Sequence, residues 1–235
     1  MSLTPHRSTT VTTTAAATTT VAGANSSPSL ITEPRCPAAV REAYHALFTA
    51  VELALGARGG RFIAVAALDD TTRADLVAAN LALLSAEGGD RTLLVDGNLR
   101  TPTLHDLFGV AAAPGMAQFL MQGHGDPGDP GALAQPTADP LLGVIAAGVG
   151  PARFDRLDRL GDVPAALRLL AHCADRVILS LAPVLAGTAA LSVGAHVDGV
   201  VLVATPGRTS RRDAARASAL LEKAHIPVLG VALAA

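Results

Sequence analysis

The chain is short of lysine and of aromatic side chains. Lys223 is its single lysine and Tyr44 its single tyrosine; tryptophan is absent and aromatics make up 3% of residues. Ala, Val and Leu must therefore do the packing. Charged residues are also sparse, at 16%, and a net charge of -2 gives no electrostatic reason to expect a nucleic-acid partner. No apolar run reaches the roughly 18 residues a bilayer span needs, because charges and helix breakers interrupt every candidate. The two cysteines, Cys36 and Cys173, lie far apart and outside any CxxC pair. The expectation for each is a free, buried thiol, not a disulfide. The histidines show no HxH or HExxH spacing, so a zinc site has no support.

What is present is a long, apolar chain: 235 residues, half of them hydrophobic, with a positive mean hydropathy. That suffices for one α/β domain with a full core. Residues 1–30 are Thr, Ala and Ser with almost no large apolar side chains, too little to offset the entropy of ordering, and read as a disordered tail. The domain is expected over 31–235. Pro37 opens an amphipathic helix that ends at Gly56. Six short apolar runs follow: "RFIAVAAL", "RTLLVDG", "LLGVIAAG", "DRVILSLA", "VDGVVLVATP" and "IPVLGVALA". Most are continuous, as in strands buried on both faces of a parallel sheet. Helical segments at Ala74–Glu87, Val163–His172, Thr188–Ala195 and Ser210–Ala224 separate most of them. The fold class is α/β, a doubly wound and mostly parallel sheet with helices on both faces. Residues 121–140, rich in Gly and Pro, read as a long surface loop.

The segment Phe62–Arg100 has the outline of a nucleotide-binding strand–turn–helix–strand unit. Its turn, "LDDTTRAD", holds neither glycine nor lysine. Thr72 and Asp75 have the spacing of a capping box, and Asp70 is a second candidate N-cap. A minority alternative is a divalent cation held by Asp69, Asp70, Asp75 and Asp96.

Three stretches carry a family resemblance. "ITEPRCPAAVREAYHALFTAVELA", "LLVDGNLRTPTLHDLFGV" and "VDGVVLVATPGRTSRRDAARASALLEKAHIPVLGVAL" together resemble the bacterial tyrosine kinases (BY-kinases, CpsD/CapB type) of capsule and exopolysaccharide synthesis. These are deviant P-loop ATPases related to MinD and ParA, so the resemblance implies a P-loop NTPase-like domain. Aligned on "VAANLA", the family's phosphate-loop glycines fall at Thr71 and Arg73, its lysine at Ala74 and its magnesium-binding hydroxyl at Asp75. A one-residue slip brings Arg73 to the lysine position without restoring the glycines. Asp96 stands at the second-motif aspartate, Asn98 at that motif's second carboxylate, and Arg100 and Pro102 are kept. The metal-linked aspartate of the third motif becomes Ser180, a later acid becomes Ala189, and the adenine-contacting Asn becomes Ala234. Asp96 reads as a vestige with two possible roles, capping a helix or pairing with Arg100. On the ring-forming helix Glu42 remains, while His45 and Phe48 replace arginines. The family's tyrosine-rich tail has no counterpart before the final "GVALAA", and Tyr44 reads as packing.

The resemblance thus implies a catalytically inactive BY-kinase-like protein, a binding or regulatory module needing no cofactor. Its expected partners are an active BY-kinase paralogue or a Wzz-type chain-length-determining membrane protein. Its expected location is the cytoplasm, peripheral to the membrane through such a partner and without a span of its own. Two alternatives stay open: a divergent ATP- and magnesium-dependent protein-tyrosine kinase using Asp96 and Arg73, or a MinD/ParA-like partner protein unrelated to polysaccharide.

Overall fold

The structure is a computed structural model and describes residues 17–20, 30–56, 60–69, 72–121, 129–149 and 163–234. Eight strands form one sheet: β1 (Ala17–Thr20), β2 (Phe62–Ala67), β3 (Thr92–Gly97), β4 (Gln135–Pro136), β5 (Leu142–Ile145), β6 (Arg176–Leu181), β7 (Gly199–Ala204) and β8 (Val228–Leu233). Their spatial order is β1-β8-β7-β2-β6-β3-β5-β4, and every pairing is parallel except β4 with β5. Parallel neighbours need crossovers, and the helices supply them. These are α1 (Ala38–Leu55), α2 (Ala74–Glu87), α3 (Leu104–Phe108), α4 (Met116–Met121), α5 (Val163–Cys173), α6 (Ala189–Gly194) and α7 (Arg211–Lys223).

The continuous apolar runs fill the middle of the sheet, where β3, β6 and β7 are buried at every position. Alternate residues divide between two core clusters, one on each face. Ile63, Val65 and Ala67 pack with Tyr44, Leu47 and Val51 of α1 and with most of α2. Ala64 and Ala66 pack with Leu167 and Leu170 of α5 and Leu221 of α7 on the other side. Helix α2 lies deepest, buried almost all round. Its Asn80, fully enclosed, accepts the Ile31 N–H at 2.9 Å and so anchors the chain's entry into the domain. Gly56 closes α1 at φ 63°, a conformation in which a Cβ is strained.

Two expectations need correction. Ala17–Thr20 lies within the segment read as a disordered tail, yet it pairs with β8 as an edge strand. Backbone ladder bonds and β-branched threonines make a strand there without large apolar side chains. Cys173 is half-exposed where a buried thiol was expected, whereas Cys36 is buried; both are free. The expected loop over 121–140 contains a 3-10 turn at Pro130–Leu133 and the two-residue β4; residues 122–128 within it lie outside the described residues. No described helix is long and apolar enough to cross a membrane.

Candidate functional site

Parallel strands deliver their C-terminal ends to one edge of the sheet, where α/β folds place their ligands. Here β2, β3, β6 and β7 bring four loops together, and three carboxylates dominate the result. Asp96, the penultimate residue of β3, is level with Ser180 of β6 and is 1% exposed. Its Oδ1 accepts the Asn98 N–H at 3.1 Å, and its Oδ2 accepts the N–H groups of Thr103 and Leu104, both at 3.2 Å. Asp96 therefore caps α3. Of the two roles open to it, capping is the one observed: Arg100 donates to the Ala186 carbonyl at 3.2 Å, and among the described residues no cation pairs with Asp96. Burial pushes the Asp96 carboxyl up to about 6, although the three N–H donors pull the other way.

Asp75 sits in the first turn of α2. Burial pushes its carboxyl upward, but the Arg73 guanidinium and the Thr103 hydroxyl outweigh that and hold it below the ordinary range. The Arg73 contact is two-pronged, with Nε at 2.9 Å from Oδ1 and an Nη at 2.7 Å from Oδ2. The Thr103 hydroxyl donates to Asp75 Oδ2 at 2.8 Å. Thr103 thus joins the two acids, its N–H on Asp96 and its hydroxyl on Asp75. The expected capping box does not form. Arg73 occupies the N-cap of α2 with no side-chain cap bond, because both would-be capping groups are engaged elsewhere. The Thr72 hydroxyl lies 3.1 Å from Asp69 and 2.9 Å from the Thr205 hydroxyl.

Asp69, ending the strand side of the turn, also accepts the Thr209 hydroxyl at 2.5 Å. Thr209 in turn accepts the Thr205 N–H at 2.9 Å, so the β2–α2 turn and the β7–α7 loop are laced together by hydroxyls. Asp70 and Thr71 lie outside the described residues. Of the four acids weighed as a cation site, Asp69 faces threonines, and Asp75 and Asp96 face Thr103; the described residues include no group of three or more His, Cys, Asp or Glu placed to hold a metal.

The remaining positions fall as follows. Ala74 is buried at the start of α2 and contributes no charge. Ser180 is 2% exposed, wedged between β2 and β3. Ala189 opens α6, and the Ala234 N–H donates to the Ala204 carbonyl beyond β8. On α1, Glu42 and His45 are exposed, whereas Phe48 is half-buried against the core. Tyr44 is buried and hydrogen-bonded to Asn80, and burial pushes its phenol up to about 12, as its packing role requires. Thr103, Thr205 and Thr209 are the residues that sequence reasoning missed. For Thr103 the signal was "TLHD", a cap pattern seven residues beyond Asp96; for the other two nothing local distinguishes them.

No family model matches the chain. The tyrosine-protein kinase YwqD of Bacillus subtilis is 28% identical over 201 residues, covering 85% of this chain and 82% of that protein. The tyrosine-protein kinase ptk of Acinetobacter johnsonii is 24% identical over 192 residues, 82% of this chain but 26% of its own length. The chain is a relative of the bacterial tyrosine kinases. The succinoglycan biosynthesis transport protein ExoP of Rhizobium meliloti is 28% identical over 155 residues, 65% of this chain and 19% of that protein. Among solved structures, the chimerical protein CapA2B2 superposes with a TM-score of 0.78 at 22% identity, covering 92% of each chain. The BceF tyrosine kinase domain gives 0.72 at 26% identity, covering 83% of this chain and 77% of that one. A ParA family ATPase from Chlorobium tepidum gives 0.58 at 19% identity over 74% of this chain and 73% of that one, a likeness of fold. The BceF kinase domain and this chain thus share a fold over most of their lengths.

Proposed function

We propose that the chain is a catalytically inactive relative of the bacterial tyrosine kinases, retained as a binding or regulatory module in capsule or exopolysaccharide synthesis. The observation that carries this reading is Asp75. It stands at the position aligned with the magnesium-binding hydroxyl, and its carboxylate is tied to Thr103 and Arg73. A polyphosphate entering beside it meets Asp69, across the same turn, as well. Each like-charge contact at about 4 Å costs on the order of 4 kcal/mol at an effective dielectric of about 20. The chain supplies no lysine in the turn to offset that repulsion, and the turn's own guanidinium, Arg73, is paired with Asp75. The residues at hand do not fit a magnesium–triphosphate, so no chemical step is assigned to one.

On this reading the partners are an active kinase of the same family or a chain-length-determining membrane protein, met at the cytoplasmic face of the membrane. The test is a phosphate-release and phosphotransfer assay with ATP, magnesium and a tyrosine-rich acceptor. The expected outcome is no release above the protein-free rate. Turnover that disappears in Asp96→Ala overturns the reading in favour of a divergent kinase.

A further inference from the structure

Residues 205–221 carry four arginines and one acid, in a chain whose net charge is -2. Arg208 lies in the loop before α7, and Arg211, Arg212 and Arg216 on the helix; all four are exposed. None of them forms an ion pair with an acid among the described residues. The one acid, Asp213, is taken by its neighbour: its carboxylate accepts the Ser210 hydroxyl at 2.7 Å, and its N–H donates to the same hydroxyl at 3.0 Å. This arrangement opposes stability. Arg212 and Arg216, four apart, repel on one helix face, and Arg211 and Arg212 occupy the first turn, where the helix dipole disfavours cations. Asp213, in the same first turn, is the one acid of the segment set against these four cations.

The patch is also held in place. Thr209, next to Arg208, is bonded to Asp69, and Thr205 to Thr72, so the loop is fixed to the rim of the site described above. We propose that Arg208, Arg211, Arg212 and Arg216 form a docking surface for an acidic segment of a partner protein. The inference rests on the binding-module reading and names the surface that binds. An acidic peptide matches the patch because guanidinium groups pair with carboxylates in a two-pronged geometry, and several are spread along a loop and a helix. A lipid surface fits less well. The large exposed apolar side chains of the described residues are Leu53, Leu141 and Val149, none of them on α7, so nothing there inserts between acyl chains. Nucleic acid fits less well again, since the stripe contains no aromatic residue for bases to stack on and the whole chain is net negative.

The test uses the full chain and a fluorescent peptide of alternating Glu and Ser, with a Gln/Ser peptide as control. Phosphatidylserine-containing vesicles and a random DNA duplex serve as competing probes. The acidic peptide is expected to bind, more weakly as salt rises, and Arg212→Glu is expected to weaken it by about tenfold or more. Arg35→Glu makes the same change in net charge on an exposed loop before α1 and is expected to leave binding nearly intact. The thermal midpoint of Arg212→Glu should not fall below that of the parent, which separates lost docking from lost folding. Absence of peptide binding, equal losses in the two variants, or tighter capture by vesicles or DNA overturns the proposal. ATP turnover in the same preparation would overturn the inactive reading and leave the docking result standing on its own.

Discussion

At the N-terminal ends of β3 and β6 the fold buries a cation, Arg176, and surrounds it with anions. One Nη lies 3.1 Å from a Glu52 carboxylate oxygen and 3.4 Å from Asp90, and the other lies 2.5 Å from the Gly60 carbonyl. At the C-terminal end of β3 the fold buries an anion, Asp96, and surrounds it with backbone N–H groups alone. Both residues are nearly inaccessible. The first arrangement resolves its charge within the chain, and its chemistry ends there. The second leaves a carboxyl whose ionised form is disfavoured by burial. Within one strand's length the fold thus sets a cation tied to carboxylates against a carboxylate held by backbone N–H groups.

The largest break in this contrast is expected from Arg176→Ala. Removing one member of a buried pair leaves the others uncompensated, and about 3 kcal/mol should be lost in urea unfolding. The figure is at the low end for such changes because Glu52 and Asp90 are partly solvated. A loss under about 1 kcal/mol would show that the tie is marginal.

Of similar size is a pH effect at Asp96. Its folded value, about 6, lies above the roughly 3.9 of an unfolded Asp, so the folded state holds the proton more tightly. The resulting stabilisation is fully present below about pH 4 and is lost as pH rises through about 6, amounting to about 3 kcal/mol. Asp96→Asn abolishes that slope. The stability of the parent minus that of the variant should therefore fall between about pH 4 and about pH 7; a difference that rises over this range contradicts the assignment.

A smaller effect belongs to the bridge between the two acids. Thr103→Val removes the hydroxyl bond to Asp75 while keeping the β-branched shape, and about 1.5 kcal/mol of stability should go with it. An unchanged unfolding midpoint would mean that water replaces the hydroxyl at no cost. The smallest effect lies on α1. Glu42→Ala and His45→Ala, both on its exposed face, should each change stability by no more than about 0.5 kcal/mol.

Much of this architecture was legible in the sequence because the central strands are continuous apolar runs with no competing pattern. All six expected runs became strands, and α2 begins and ends where "ADLVAANLALLSAE" predicts. β1 escaped because threonine and alanine carry no apolar period; its pairing depends on the edge that β8 offers. β4 and α3 are too short to leave a period at all. In the site, the positions of Asp69, Asp75 and Asp96 could be read from alignment and chemistry. Their partners could not. Thr103 and Thr209 sit 28 and 140 residues from Asp75 and Asp69, the acids they meet, and Thr205 sits 133 residues from the Thr72 hydroxyl; only the Thr103 contact with Asp96 is local. The capping box failed for the same reason: a local pattern predicted Thr72 and Asp75 facing α2, and tertiary partners drew both away.

The most direct test of the central claim is a calorimetric titration of the full chain with ATP and magnesium. The account predicts no saturable heat up to millimolar nucleotide, in the parent and in Asp96→Ala alike. Micromolar binding by the parent that vanishes in Asp96→Ala would contradict it.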